Sequence, residues 1–256
     1  MKIIILILST KNKDYDCFKK AIKETWFKDF TKVGIKCFFY EGNSKKNILI
    51  DDTIYLNCDD SLQGTSKKLK LALDFVDKNY EYDFIFRTNL SSYLDIKKFL
   101  NYINHFRISE NTYSGLHAQT YSFKEYFWKN NLIFKVLSKL RFNFGKKIDF
   151  ASGSGFFLGR NNVKKILRSK KFENYVDDVM VGLICKLDQI YHPPRIDIGN
   201  MEKPKILINQ KLSSLKNDHA YHFRFKSKDR IKDSENLKIC HDENSRIELI
   251  KRDYDS

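Results

Sequence analysis

Four short apolar runs, each ending at polar residues and each followed by a polar turn or helical spacing, constrain this chain to an α/β architecture. The first, Ile3–Leu8 (IIILIL), ends at Ser9 and Thr10. It is too short to span a bilayer, and no small-residue cleavage site follows it, so it is predicted as a buried parallel strand. Residues 14–30 then carry Phe18, Ile22 and Trp26 at helical spacing. Residues 34–40 and 53–58 are predicted as strands. Residues 61–65 form a polar turn into a helix running to Asn79, with Leu69, Leu73 and Val76 on one face. Residues 83–88 complete the set of strands, and 95–106 are helical. Further on, a glycine-broken strand over 148–158 and helices over 161–169 and 176–187 are expected. The alternation predicts a mostly parallel central sheet with helices on both faces.

Composition narrows the function classes. At 256 residues, with 42% hydrophobic residues, three prolines and ten glycines, the chain forms a real core and is neither disordered nor a repeat array. The net charge of +15 invites a polyanionic partner such as nucleic acid, a membrane or a nucleotide diphosphate. Lysine is spread along the chain rather than blocked, which favours a solvated surface enclosing a modest phosphate pocket. The five cysteines are odd in number and lack CxxC spacing, so neither a disulfide framework nor a zinc site is indicated. Reduced thiols are expected, with Cys37, Cys58 and Cys185 filling core. No segment reads as a membrane span.

Five constellations could carry chemistry. Ser9 and Thr10 end the first strand, where hydroxyls could hold a base or ribose; the plainer role is a helix cap. Asn89, Leu90 and Ser91 end the fourth, where a ligand binds in an open sheet; the plainer role is a turn. Residues 150–160, FASGSGFFLGR, bring Gly153 and Gly155, which allow close backbone approach but match neither the dinucleotide fingerprint nor a P-loop. Asp177 and Asp178 begin a helix, either as dipole caps or with one acid as a general base toward a hydroxyl. His219, His222 and Arg224 lie in HAYHFRF, a strand whose histidines could meet a metal or phosphate.

The order of these pieces is more specific than any one of them. The chain resembles the β1,3-glycosyltransferases of the galactosyltransferase and Fringe group, glycosyltransferase family 31. Residues 21–26, AIKETW, are similar to that family's Ile-Arg-x-Thr-Trp element, with Lys23 for the arginine. Residues 53–76 are similar to its Asp-Ser-Tyr and Leu-x-x-Lys-Thr stretch. RTNLSSYLD stands where the family has Lys-x-Asp-Asp-Asp-Val-Phe. FASGSGFFLGR resembles Cys-Ser-Gly-Gly-Gly-Tyr-Val-Leu-Ser, and VDDVMVG resembles Glu-Asp-Val-x-x-Gly.

The resemblance implies a GT-A fold over 1–225, with a nucleotide-binding part (1–95) and an acceptor-binding part (96–225). Residues 226–256 are expected to be a charged, frayed tail. It implies inverting transfer from a UDP-sugar to a hydroxyl of a glycan acceptor. Asp178 would be the catalytic acid, with Asp177 a second acid. Ser9, Thr10, Arg87, Asn89, Ser91, Gly153 and Gly155 would contact the nucleotide sugar. His222 would match a metal-ligating histidine. The family's Mn²⁺ clamp has lost both carboxylates to Asn89 and Ser91, which bind such a cation far more weakly. Metal-independent or weakly metal-dependent transfer is therefore expected, with Arg87, His222, Arg224 or nearby lysines neutralising the leaving diphosphate. No family-type anchor is seen, which points to a cytoplasmic enzyme of viral or bacterial origin. The alternative is a catalytically inactive relative that binds nucleotide sugar or glycan. Nucleic-acid binding through the aromatic and basic segment 121–146 would leave the glycine and acid motifs unexplained.

Overall fold

The computed structural model describes residues 1–106, 108–121, 146–170, 176–188, 195–198 and 220–254. The chain begins with β1 (Ile3–Leu8), a short 3₁₀ turn (Lys13–Tyr15), α1 (Asp16–Glu24) and α2 (Trp26–Lys32). β2 (Lys36–Glu41), β3 (Ile48–Ile50), β4 (Thr53–Tyr55) and α3 (Thr65–Asn79) follow. Then come β5 (Phe84–Asn89), β6 (Ser92–Leu94), α4 (Ile96–Phe106), β7 (Tyr113–Tyr121) and β8 (Lys147–Gly159). α5 (Arg160–Arg168), α6 (Asp177–Ile184), β9 (Ile196–Ile198), β10 (His222–Phe225) and α7 (Arg230–Tyr254) complete the described elements.

The main sheet has the order β3-β4-β2-β1-β5-β8-β7. β4, β2, β1 and β5 pair in parallel, while β3, at one edge, and β8 with β7, at the other, are joined by antiparallel ladders. The sheet is thus mostly parallel, as expected. The strand predicted over 53–58 is one arm of a hairpin, because Ile50 pairs with Thr53 across a two-residue turn at Asp51 and Asp52. Asp51 adopts φ 52° there, a conformation Asp tolerates.

Alternation along β1 divides the core. Ile3, Ile5 and Ile7 pack with Phe18, Trp26, Phe30 and Phe99 on one face. Ile4 and Leu6 pack with Leu69, Leu73, Val76, Val163 and Met180 on the other. Helices therefore cover both faces, which is why the strand reads as continuously apolar. The helix expected over 14–30 is instead two helices. They part at Thr25, whose Oγ1 donates to the Ala21 carbonyl at 2.6 Å and whose φ/ψ of −118°/−120° is not helical. The break turns Trp26 inward, where its Nε1 donates to the Ser92 carbonyl at 2.9 Å.

A second sheet, ordered β6-β10-β9, joins this layer. The segment expected as a frayed tail is corrected here: α7 spans 25 residues, and its Leu237 and Cys240 are fully buried in the same core as Trp26. All five cysteines are free thiols; Cys37 and Cys185 are buried as expected, whereas Cys58 is only half-buried. Among the described residues no helix is long and apolar enough to cross a membrane. The aromatic and basic segment at 122–145 and His219 lie outside the described residues.

Candidate active site

Strand register brings the predicted motifs to one end of the sheet. Leu8 of β1 pairs with Asn89 of β5, and Thr88 pairs with Gly155 of β8. A cleft of ≈ 500 Å³ opens over these ends. Ser9, Thr10, Asn89 and Ser91 line it, as do Asp60, Lys68, Arg224, Lys226 and Arg230. A larger hollow of ≈ 840 Å³ lies against β7, β8 and α6, lined in part by His117, Lys147, Asp149 and Gly182. Asp178 lines neither.

The two hydroxyls of the first motif are committed within the protein. Buried Ser9 donates to Glu41 Oε1 at 2.7 Å, and Lys19 Nζ meets the same oxygen at 2.7 Å. Thr10 Oγ1 donates to Asp60 Oδ2 at 2.7 Å, so both hydroxyls offer the cleft acceptor lone pairs only. Asp60 organises this corner. It accepts from Lys68 Nζ, from the Lys11 amide at 2.8 Å and from the Gly42 amide at 2.8 Å. Burial pushes its carboxyl up, but Lys68 and these donors prevail and hold it below the usual carboxylate value. Asp60 and Lys68 were missed as site residues, although both lie in the 53–76 stretch. A carboxylate just after a strand with a lysine in the next helix's first turn was the available signal.

Asn89 closes on its own loop. Its Oδ1 accepts from the Ser91 amide at 3.2 Å, Ser91 Oγ at 2.9 Å and Ser92 Oγ at 3.0 Å. Ser92 Oγ also shares a hydrogen bond with His222 Nε2 at 2.9 Å. Gly155 makes room for that ring: a Cβ there would come within 2.8 Å of His222 Cε1 and Phe86 Cζ. The expected residues 89, 91, 155 and 222 are thus one connected group.

The acids form a second group. Asp177 is buried and ion-paired with Arg87, whose Nε donates to the Tyr40 hydroxyl at 3.1 Å. Arg87 is itself buried, so it lies beneath the site rather than in the cleft wall. Burial would discharge it, but Asp177 and Tyr40 outweigh that and keep it protonated. Asp178 is half-buried; its Oδ2 accepts from the Gly153 amide at 2.8 Å and its Oδ1 from the Val179 amide at 2.9 Å. Burial first, and then the neighbouring Asp177, raise its carboxyl to about 6, against the pull of Arg87 and the two amides. A Cβ at Gly153 would lie 2.8 Å from Asp178 Oδ2 and 3.3 Å from Arg87 Nη1, so the glycine lets strand and acid touch. Such an acid can accept a proton near neutral pH.

Mn²⁺ does not fit the residues present. Asn89 Oδ1 already accepts three hydrogen bonds, and His222 Nε2 is engaged by Ser92. Among the described residues no group of three His, Cys, Asp or Glu side chains could hold a metal. Hard divalent cations require several oxygen ligands.

Comparison with known proteins bears on the family and the fold. The family model described as Galactosyltransferase matches residues 19–194. No curated protein matches the chain. Among solved structures, a glycosyltransferase involved in the glycosylation of the major capsid of PBCV-1 superposes with a TM-score of 0.51 at 11% identity. That match covers 93% of this chain and 100% of the other. The galactosyltransferase LgtC, solved with donor and acceptor sugar analogs, superposes at 0.44 with 10% identity, covering 94% of this chain and 95% of that one. The first of these, at 11% identity and a TM-score of 0.51, speaks to the fold alone, which is GT-A. The matched span exceeds half the chain and includes the elements that carry Trp26, Asn89, Gly153 and Asp178, so this chain belongs to the galactosyltransferase family.

Proposed function

We propose that this chain transfers a hexose from a UDP-sugar to a hydroxyl of a glycan acceptor, with inversion and a β1,3-type linkage. In this reading residues 1–95 are the nucleotide-binding part, joined at the cleft by Arg224, and residues 96–225 are the acceptor-binding part. Asp178 is the general base. The observation that carries this reading is the half-buried Asp178 carboxylate, fixed by the Gly153 and Val179 amides and raised to about 6. The acceptor O–H gives its proton to Asp178 as the oxygen attacks the anomeric carbon. The bond from that carbon to the phosphate oxygen breaks, and its electron pair leaves with UDP. Products are the new glycoside, UDP and protonated Asp178, which returns its proton to solvent. Arg87 and Asp177 hold the base's surroundings, and the closed Asn89 loop supports transfer that does not depend on a metal.

The test is UDP release from UDP-hexoses with a glycan acceptor mixture, in EDTA. Asp178→Asn should abolish turnover while UDP binding stays nearly intact. Joint loss of turnover and binding in a folded variant would make Asp178 structural instead. UDP binding by the wild type without turnover on any acceptor would favour the inactive, sugar-binding alternative. Full loss of turnover in EDTA with recovery in Mn²⁺ would refute metal independence.

A further inference from the structure

Sequence alone left the leaving diphosphate to Arg87, His222, Arg224 or nearby lysines. The structure separates them. Arg87 is ion-paired with Asp177 and, although its Nη1 has no hydrogen-bond partner, it is buried away from the cleft wall; His222 is bonded to Ser92, and Lys68 is paired with Asp60. Arg224 differs. It lies on β10 between the buried rings of Phe223 and Phe225, and it lines the cleft at the ends of β1 and β5. Its Nε is buried without a hydrogen-bond partner, and among the described residues no ion pair engages its guanidinium.

The electrostatic setting of Arg224 is adverse. Burial opposes its charge most, then Arg195, with Arg230 and Arg87 adding to it, while Asp197 favours the charge. Asp197 is already bound to Arg195. A partly buried cation held among cations is costly unless an anion joins it. Lys226 and Arg230, the latter also 3.4 Å from Asp233, line the same cleft, and the one carboxylate among its described lining residues, Asp60, is taken by Lys68. The cleft is therefore built for an anion, whereas Asn89 and Ser91 present no carboxylate to a cation. A guanidinium fork fits two phosphate oxygens at once.

We propose that Arg224, supported by Arg230 and Lys226, binds the diphosphate of the nucleotide donor and neutralises it as it leaves. This rests on the donor-binding reading above. The proposal makes Arg224 a residue that touches the substrate and assigns the charge-neutralising role to protein side chains. As the anomeric C–O bond breaks, the electron pair arriving on the phosphate oxygen meets a fixed cation that needs no reorganisation.

Calorimetry in EDTA tests it with uridine, UDP and inorganic pyrophosphate as probes, on wild type, Arg224→Gln and Arg224→Lys. The wild type should bind UDP more tightly than uridine. Arg224→Gln should weaken UDP and pyrophosphate by roughly 30-fold or more while leaving uridine unchanged. Arg224→Lys should recover part of the loss, since it restores charge without the fork. If Arg224→Gln does not fold, the double variant Lys226→Gln/Arg230→Gln carries the same test, with an expected loss of roughly tenfold. Unchanged UDP affinity in folded Arg224→Gln overturns the proposal and leaves the donor reading standing. UDP binding only with Mn²⁺ overturns it as well. Arg224-dependent pyrophosphate binding without any affinity for UDP or uridine keeps the anion site and removes the donor reading.

Discussion

Asp177 and Asp178 are neighbours at the start of α6, yet their surroundings give them opposite duties. Asp177 is the buried counter-charge of Arg87. Asp177→Asn leaves that guanidinium buried without full compensation, so it should lower stability by about 3 kcal/mol, measured by urea unfolding. Asp178 behaves differently because its folded-state carboxyl is raised from 3.8 to about 6. The folded protein holds that proton more tightly than the unfolded chain. The associated stability is fully present below about pH 4 and is lost as pH rises through about 6. Ionised Asp178 thus strains the fold at pH 8 by about 3 kcal/mol at most. Asp178→Asn should raise the Tm at pH 8, and the gain should vanish by pH 4; a Tm below wild type at every pH would contradict this. Activity should run the other way, with turnover falling below about pH 6 as the base protonates. Gly153→Ala would place a methyl 2.8 Å from Asp178 Oδ2. It should cut turnover by about 100-fold through misplacement of the carboxylate, with UDP affinity little changed.

At the level of elements, the C-terminal helix is part of the fold. Leu237 is fully buried beneath α7, so Leu237→Ala should cost about 3 kcal/mol, read from the shift in urea midpoint. The sequence hid this helix because its stretch is dominated by charge, and buried Leu237 and Cys240 leave only a narrow apolar stripe. The strands were legible for the reverse reason: each central strand is buried on both faces and appears as an unbroken apolar run. Helix positions followed from spacing, but the break at Thr25 did not, because Phe18, Ile22 and Trp26 keep the helical period across it. In the site, Gly153 and Asp178 were legible as motif residues. Their contact was not, nor was the Arg87–Asp177 pair, since partners 25 and 90 residues apart meet only through the sheet's crossovers. Arg224 was visible in HAYHFRF, but its lack of a partner is a property of packing and cannot be read from sequence.

For the whole molecule, the charge of +15 acquires a local meaning. Much of it is spread lysine, while a small share, Arg224, Lys226 and Arg230, gathers at the carboxyl end of the sheet. There β8 carries Gly153, whose amide donates to Asp178, and Ser154, whose carbonyl accepts from Thr88 and Ser92 beside Asn89. On the proposed reading, a cationic cleft and a carboxylate of raised pKa at one end of the sheet suit an activated sugar whose leaving group is a phosphate. The measurement that tests this most directly is calorimetric binding of UDP-hexoses to the wild-type protein, first in EDTA and then with Mn²⁺. The account predicts saturable binding of at least one UDP-hexose in EDTA, with Mn²⁺ changing the affinity little. Absence of binding in both conditions, or binding that appears only with Mn²⁺, would contradict it.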